Sequence, residues 1–214
     1  MNVQSNIRIG LAVGLAAALG GCAFEPGDRA ESPLDGRRVL ASMQAGDVRF
    51  AAAHDGDPMP AMEPAVTAGT ITVRTASQHL LLEELILELG DLDVTKQIGT
   101  TTQVLHLTDL RLRLGTQADA AATWSDDRSQ VSGVASADLL LDWSLRGTDG
   151  RVLPLATQRV RDAALDVHLV VDGDTGGAIA SVTSTAPGLL WELGDITVSD
   201  LSLSLVTAGS GDIP

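Results

Sequence analysis

In Asp138-Leu139-Leu140-Leu141-Asp142-Trp143-Ser144-Leu145 an acid is followed by large apolar side chains at every second position. Successive strand residues point to opposite faces, so this spacing gathers Leu139, Leu141, Trp143 and Leu145 on one side. The phrase returns as Glu84-Leu85-Ile86-Leu87-Glu88-Leu89, as Asp109-Leu110-Arg111-Leu112-Arg113-Leu114 and as Asp200-Leu201-Ser202-Leu203-Ser204-Leu205. A looser copy is Asp162-Ala163-Ala164-Leu165-Asp166-Val167-His168-Leu169. One dry and one wet face per segment is the mark of antiparallel sheet, because parallel strands are usually buried on both faces. The acids start 25, 29, 24 and 38 residues apart, which fits successive hairpins rather than a stacked solenoid.

Turn chemistry separates these segments. Ser125-Asp126-Asp127-Arg128, Thr148-Asp149-Gly150 and Asp172-Gly173-Asp174-Thr175-Gly176-Gly177 each lie between apolar runs. Asp-Gly and Gly-Gly supply the positive φ angles of tight hairpins. Leu80–Leu89 also fits helical spacing, with Ser77 as a cap, but the phrase it shares with the other segments favours a strand. Ahead of the Asp109 phrase Leu105 and Leu107 are odd while Leu110, Leu112 and Leu114 are even, so a bulge near Thr108 is needed to keep both sets inward. Residues 39–66 read as an early edge strand around Val48-Arg49-Phe50, then a loop broken by Pro58, Pro60 and Pro64. The expected fold is all-β: a single antiparallel domain of about 8–11 strands over residues 46–207, as a sandwich, a partly open barrel or a curved sheet. Residues 208–214 form a C-terminal tail.

The first 22 residues have a different character. Arg8 precedes Ile9–Gly21, 13 residues without a charged side chain, against the roughly 20 that a membrane-crossing helix needs. Leu19, Gly20 and Gly21 then lead into Cys22, the only cysteine of the chain. A short charged start, an apolar run and small residues before a cleavage point are the parts of an export signal. With the cysteine at that point, Leu19-Gly20-Gly21-Cys22 resembles the lipobox of a bacterial lipoprotein precursor. The resemblance implies that residues 1–21 are removed and that Cys22 is lipidated. It also implies an outer-membrane anchor, since Ala23 rather than Asp follows the cysteine. Residues 22–45, polar at first and containing Pro26 and Pro33, then read as a tether.

Cleavage before Cys22 leaves 193 of the 214 residues and, with Arg8 removed, takes the net charge from −14 to −15. Such a domain repels nucleic acid and anionic head groups, so its membrane partner is reached through the lipidated N-terminus. With no Tyr, two Phe and three Trp there is little stacking surface for sugars or bases, and the core must be aliphatic.

Motifs for catalysis are missing: no G-x-S-x-G elbow, H-E-x-x-H pair, phosphate loop or dinucleotide fingerprint occurs. His54, His79, His106 and His168 show no metal-ligand spacing. Asp172 and Asp174 open a calcium-like loop, but Thr183 stands where its bidentate acid belongs, so a hairpin turn is the expectation. The reading is therefore a non-catalytic, membrane-anchored envelope lipoprotein that needs no cofactor and no metal. Long, aliphatic, aromatic-poor sheets of this kind resemble those of envelope lipid-handling proteins. Its leucine-rich face would bind or shield an apolar ligand such as a lipid acyl chain, through Leu139, Leu141, Trp143, Leu201 and Leu203. Trp191, after Pro187-Gly188, is expected at the sheet rim as part of that surface. The alternative is a structural or assembly lipoprotein that binds an envelope protein partner and no ligand. A hydrolase using paired carboxylates comes third.

Overall fold

The computed structural model describes residues 32–174 and 176–207. Leu19, Gly20, Gly21, Cys22 and the tail 208–214 lie outside the described residues. Thirteen strands follow one another: β1 (Arg38–His54), β2 (Asp57–Pro58), β3 (Val66–Thr75), β4 (His79–Leu89), β5 (Leu92–Ile98), β6 (Thr101–Leu114), β7 (Ala118–Ala121), β8 (Thr123–Trp124), β9 (Gln130–Arg146), β10 (Val152–Pro154), β11 (Gln158–Val171), β12 (Ala178–Leu193) and β13 (Ile196–Thr207). All pairings are antiparallel, and among the described residues there is no helix.

Eight strands close into a ring in the order β9-β11-β12-β13-β1-β3-β4-β6, and β6 pairs back onto β9 through Arg111↔Asp142 and Leu112↔Leu141. Closure is how this fold removes the exposed edges of a sheet. Beyond Gly115, β7 takes over the edge of β4 that β6 leaves, through Leu80↔Ala120, so the eighth stave is made in two pieces. Of the three architectures the sequence allows, the chain adopts a barrel-like ring, with more strands than expected because β2, β7, β8 and β10 are short additions.

The alternating leucines point into the ring. Leu85, Leu87, Leu112, Leu139, Leu141, Leu165, Leu169 and Leu205 have no exposed surface, and they belong to one continuous core. Eight strands enclose a space narrow enough for side chains to fill, and here these side chains occupy it. The outer face carries Ser132, Ser136, Asp138 and Asp142 of β9 and Thr197, Ser199, Ser202 and Ser204 of β13. Ion pairs lie across it: Arg113–Asp142 at 2.8 Å, Arg111–Glu88 at 3.1 Å, and Glu83 between Arg38 at 2.7 Å and Arg74 at 2.8 Å. A barrel that crosses a bilayer by its strands has the opposite arrangement, apolar outside and polar within.

The N-terminal boundary differs from the sequence reading. Instead of an edge strand beginning near residue 46, β1 starts at Arg38 and lies inside the ring between β13 and β3. Its small residues hid it, and they are there for packing. A Cβ on Gly46 would sit 2.6 Å from Leu205 Cδ2 and 2.7 Å from the Ser204 carbonyl oxygen. The prolines come after β1, where Met59 and Met62 fold back along its edge through Ala52 and Phe50. Ahead of it, Leu34 is fully buried and its carbonyl accepts the Thr75 hydroxyl. The folded domain therefore takes in at least ten residues that the sequence assigns to the tether.

Candidate functional site

The four leucines named as a ligand surface, Leu139, Leu141, Leu201 and Leu203, are at most 2% exposed and pack within the core. Trp143 is the largest inward residue of β9, and its Nε1 donates to the Ala156 carbonyl at 3.0 Å. Trp191 is buried rather than at an exposed rim, because β12 turns it inward after the irregular stretch 187–190. Phe50, Trp191 and Trp143 stack edge to face, with centroids 5.2 and 5.9 Å apart. Such contacts add about 1 kcal/mol each to simple burial. Trp191 Nε1 is buried with no hydrogen-bond acceptor among the described residues.

Asp172 and Asp174 lie in the β11–β12 hairpin, where Gly176 N–H donates to the Asp172 carbonyl at 2.8 Å and Asp174 N–H to Asp172 Oδ1 at 3.1 Å. Among the described residues no three His, Cys, Asp or Glu come together to hold a metal.

Two features of the mouth formed by the β5–β6 and β12–β13 turns were not legible in the sequence. The first is a latch. In the ring order β6 stands opposite β13, and the β5–β6 hairpin carries Lys96 across to the far rim. There Lys96 Nζ meets both oxygens of Asp195, at 2.6 and 2.9 Å, and His54 Nε2 lies 2.9 Å from Asp195 Oδ2. The hydrogen bond from Lys96, with that of His54 second, holds the Asp195 carboxyl down at about 2. Lys96 is the only lysine among 14 basic side chains; that isolation was the one available signal. Since the folded value lies below the ordinary 3.8, this contribution is complete above about pH 4 and fades as pH falls towards 2. Amide exchange of Leu92–Gln97 should therefore be faster in Asp195→Asn than in the parent at pH 5, and the difference should vanish near pH 2. Equal protection at pH 5 would show that the latch does not hold the hairpin.

The second feature is a seam. The β11–β12 ladder runs from Val171↔Ala178 to Ala164↔Thr185 and stops. Pro187 has no N–H to continue it. Gly188, at φ 98°, gives its N–H to Asp200 Oδ1 at 2.7 Å, and Asp162 gives its own to Asp138 Oδ1 at 3.2 Å. Past that point, among the described residues, Gln158–Val160 pair only with β9, and Leu189–Leu193 only with β13. The strands part around an open cleft of about 700 Å³, with Gln158, Arg159, Arg161 and Asp162 on one wall and Pro187, Leu189 and Leu190 on the other. Arg159 is bound to Asp138, whose carboxyl it holds below the usual range.

No protein-family model and no curated protein matches the chain. Among solved structures, the chain is similar to that of Ail, the attachment invasion locus protein of Yersinia pestis, crystallised in complex with the heparin analogue sucrose octasulfate. The match has 7% identity and a TM-score of 0.42, and it covers 81% of this chain and 98% of that one. A likeness this slight carries no argument about either fold or function.

Proposed function

We propose that this chain is a lipid-anchored protein of the bacterial envelope, and that its ring is a rigid, non-catalytic module presenting surface to a protein partner. The observation that carries this reading is the orientation of the aliphatic face. The leucines that suggested an acyl-chain site are consumed in closing the core, so the surfaces left for recognition are polar outer strands and the mouth. An acyl chain held by Leu139, Leu141, Leu201 and Leu203 would need an open groove among them, and they are buried against one another.

The place where the chain enters supports the same reading. Ser32 leads into Leu34 and Asp35 at the end of the ring where β3 and β13 finish, and Asp35 pairs there with Arg128 at 2.9 Å. Nine residues lie between Cys22 and Ser32, ten residue steps that span at most about 35 Å. An anchor at Cys22 would hold that end near the bilayer and leave the latched mouth and the seam on the far side.

Cys22→Ser should abolish incorporation of labelled palmitate and accumulate as the uncleaved precursor. Normal labelling and processing of the variant would remove the anchor from this proposal. Mass spectrometry of the full chain purified from membranes should find the covalent anchor and no stoichiometric free lipid. A retained lipid at one per chain would restore the apolar-ligand reading.

A further inference from the structure

We propose that the seam between β11 and β12 accepts an added β-strand from a partner polypeptide, one with acidic side chains at alternate positions. The inference rests on the reading of the ring as a protein-binding module and gives that module its surface. Both walls of the cleft are extended strands already paired on one side, with the facing edges unpaired among the described residues. An incoming strand is the one kind of occupant that pairs with the backbone of both walls at once, which is how strand addition gains its affinity. A fatty acid could place its carboxylate on Arg161 and its chain on Leu189, but it would leave both backbone edges as they are.

Charge selects the side chains of that strand. Arg159 and Arg161 are exposed on the same face of β11, two residues apart. Arg161 has no acid within 4.0 Å among the described residues, in a chain with 28 of them; only Arg37, at the other end of the ring, shares that state. Side chains opposite one another on neighbouring strands stand about 5 Å apart, so acids at alternate positions of the added strand would meet Arg161, which has no ion pair, and Arg159, which they would share with Asp138. Leu189, 66% exposed on the other wall, would cover their methylene stems. The residues between them would turn inward, towards the side where Val160 and Trp191 are buried, and would have to be apolar.

The test uses the full chain and the peptide acetyl-Thr-Val-Glu-Val-Glu-Val-Thr-amide. Calorimetry should show saturable binding, and amide exchange should slow at Gln158–Val160 and at Leu189–Leu193 together. Arg161→Glu, at an exposed residue with no ion pair within 4.0 Å among the described residues, should keep the circular dichroism of the parent. It should weaken this peptide about tenfold or more and admit the version with Lys in place of Glu. Leu189→Gln should weaken the Glu peptide. The proposal is overturned by absence of saturable binding, by protection confined to other strands, or by an Arg161→Glu protein that binds as before. It is also overturned if dodecanoate saturates the seam and the peptide does not, which would assign the site to an anionic amphiphile. None of these results depends on the anchor, which the Cys22→Ser experiment reads separately.

Discussion

Leu141→Asp should unfold the ring or come close to it, while Ser204→Asp should leave its stability within about 0.5 kcal/mol. The two residues stand in two copies of the alternating phrase and differ in the face they occupy. Leu141 has no exposed surface and lies beside Leu112 on the neighbouring stave, whereas Ser204 is on the outer face of β13. A carboxylate placed at Leu141 would have neither water nor a cation to meet. It would cost several kcal/mol whether it stayed charged or took up a proton. Leu203→Asp and Ser202→Asp form a second pair on adjacent residues of β13, with Leu203 at 2% exposure. Urea unfolding of all four should separate the inward pair from the outward pair. Equal losses would mean that the alternation does not define an inside.

That alternation was legible because it is local: two-residue periodicity fixes which side chains share a face, whatever the sheet does later. Closure is not local. The same five phrases serve a sandwich, a curved sheet or a ring, and what selects the ring is pairing between β6 and β9, some 30 residues apart. Without it the leucine face looked larger than anything available to cover it, and an apolar ligand was the natural filler. Curling the sheet supplies the cover from the sheet itself. The same blindness hid the latch, since Lys96 and Asp195 are 99 residues apart. It hid the seam as well, because a ladder that stops at Pro187 and Asp162 shows only when both strands are side by side. One non-obvious feature did survive from sequence. The parity conflict between Leu105 and Leu107 on one side and Leu110 on the other called for a bulge near Thr108, and the β6–β9 register shifts between Thr108 and Arg111. His106 itself turns outward to Asp93 at 2.6 Å.

The acid that opens three of the five phrases, Asp109, Asp162 and Asp200, is the part of the pattern whose meaning the sequence conceals, and it sets the last expected result. Asp109→Val combined with Asp200→Val should cost about 2–6 kcal/mol, while Asp109→Gly alone should cost little. Asp109, Asp162 and Asp200 have φ of 54°, 51° and 50°, in the left-handed region. Each sits where the register slips: between Thr108 and Arg111, between Val160 and Ala163, and between Leu201 and Ser199 opposite Phe50 and Ala51. At each slip the inward parity changes, from Leu107 to Leu110, from Val160 to Ala163 and from Val198 to Leu201. A bulge bends and twists its strand, which is what a sheet needs in order to close. Asp tolerates the left-handed conformation because its short side chain bonds locally. A β-branched side chain is strained there, and Gly is not. Asp109 and Asp200 lie on opposite staves and share no partner, so their costs should add. An exposed aspartate that merely solubilised the surface would accept valine with a change too small to measure. A double variant as stable as the parent would show that the ring closes without these bends.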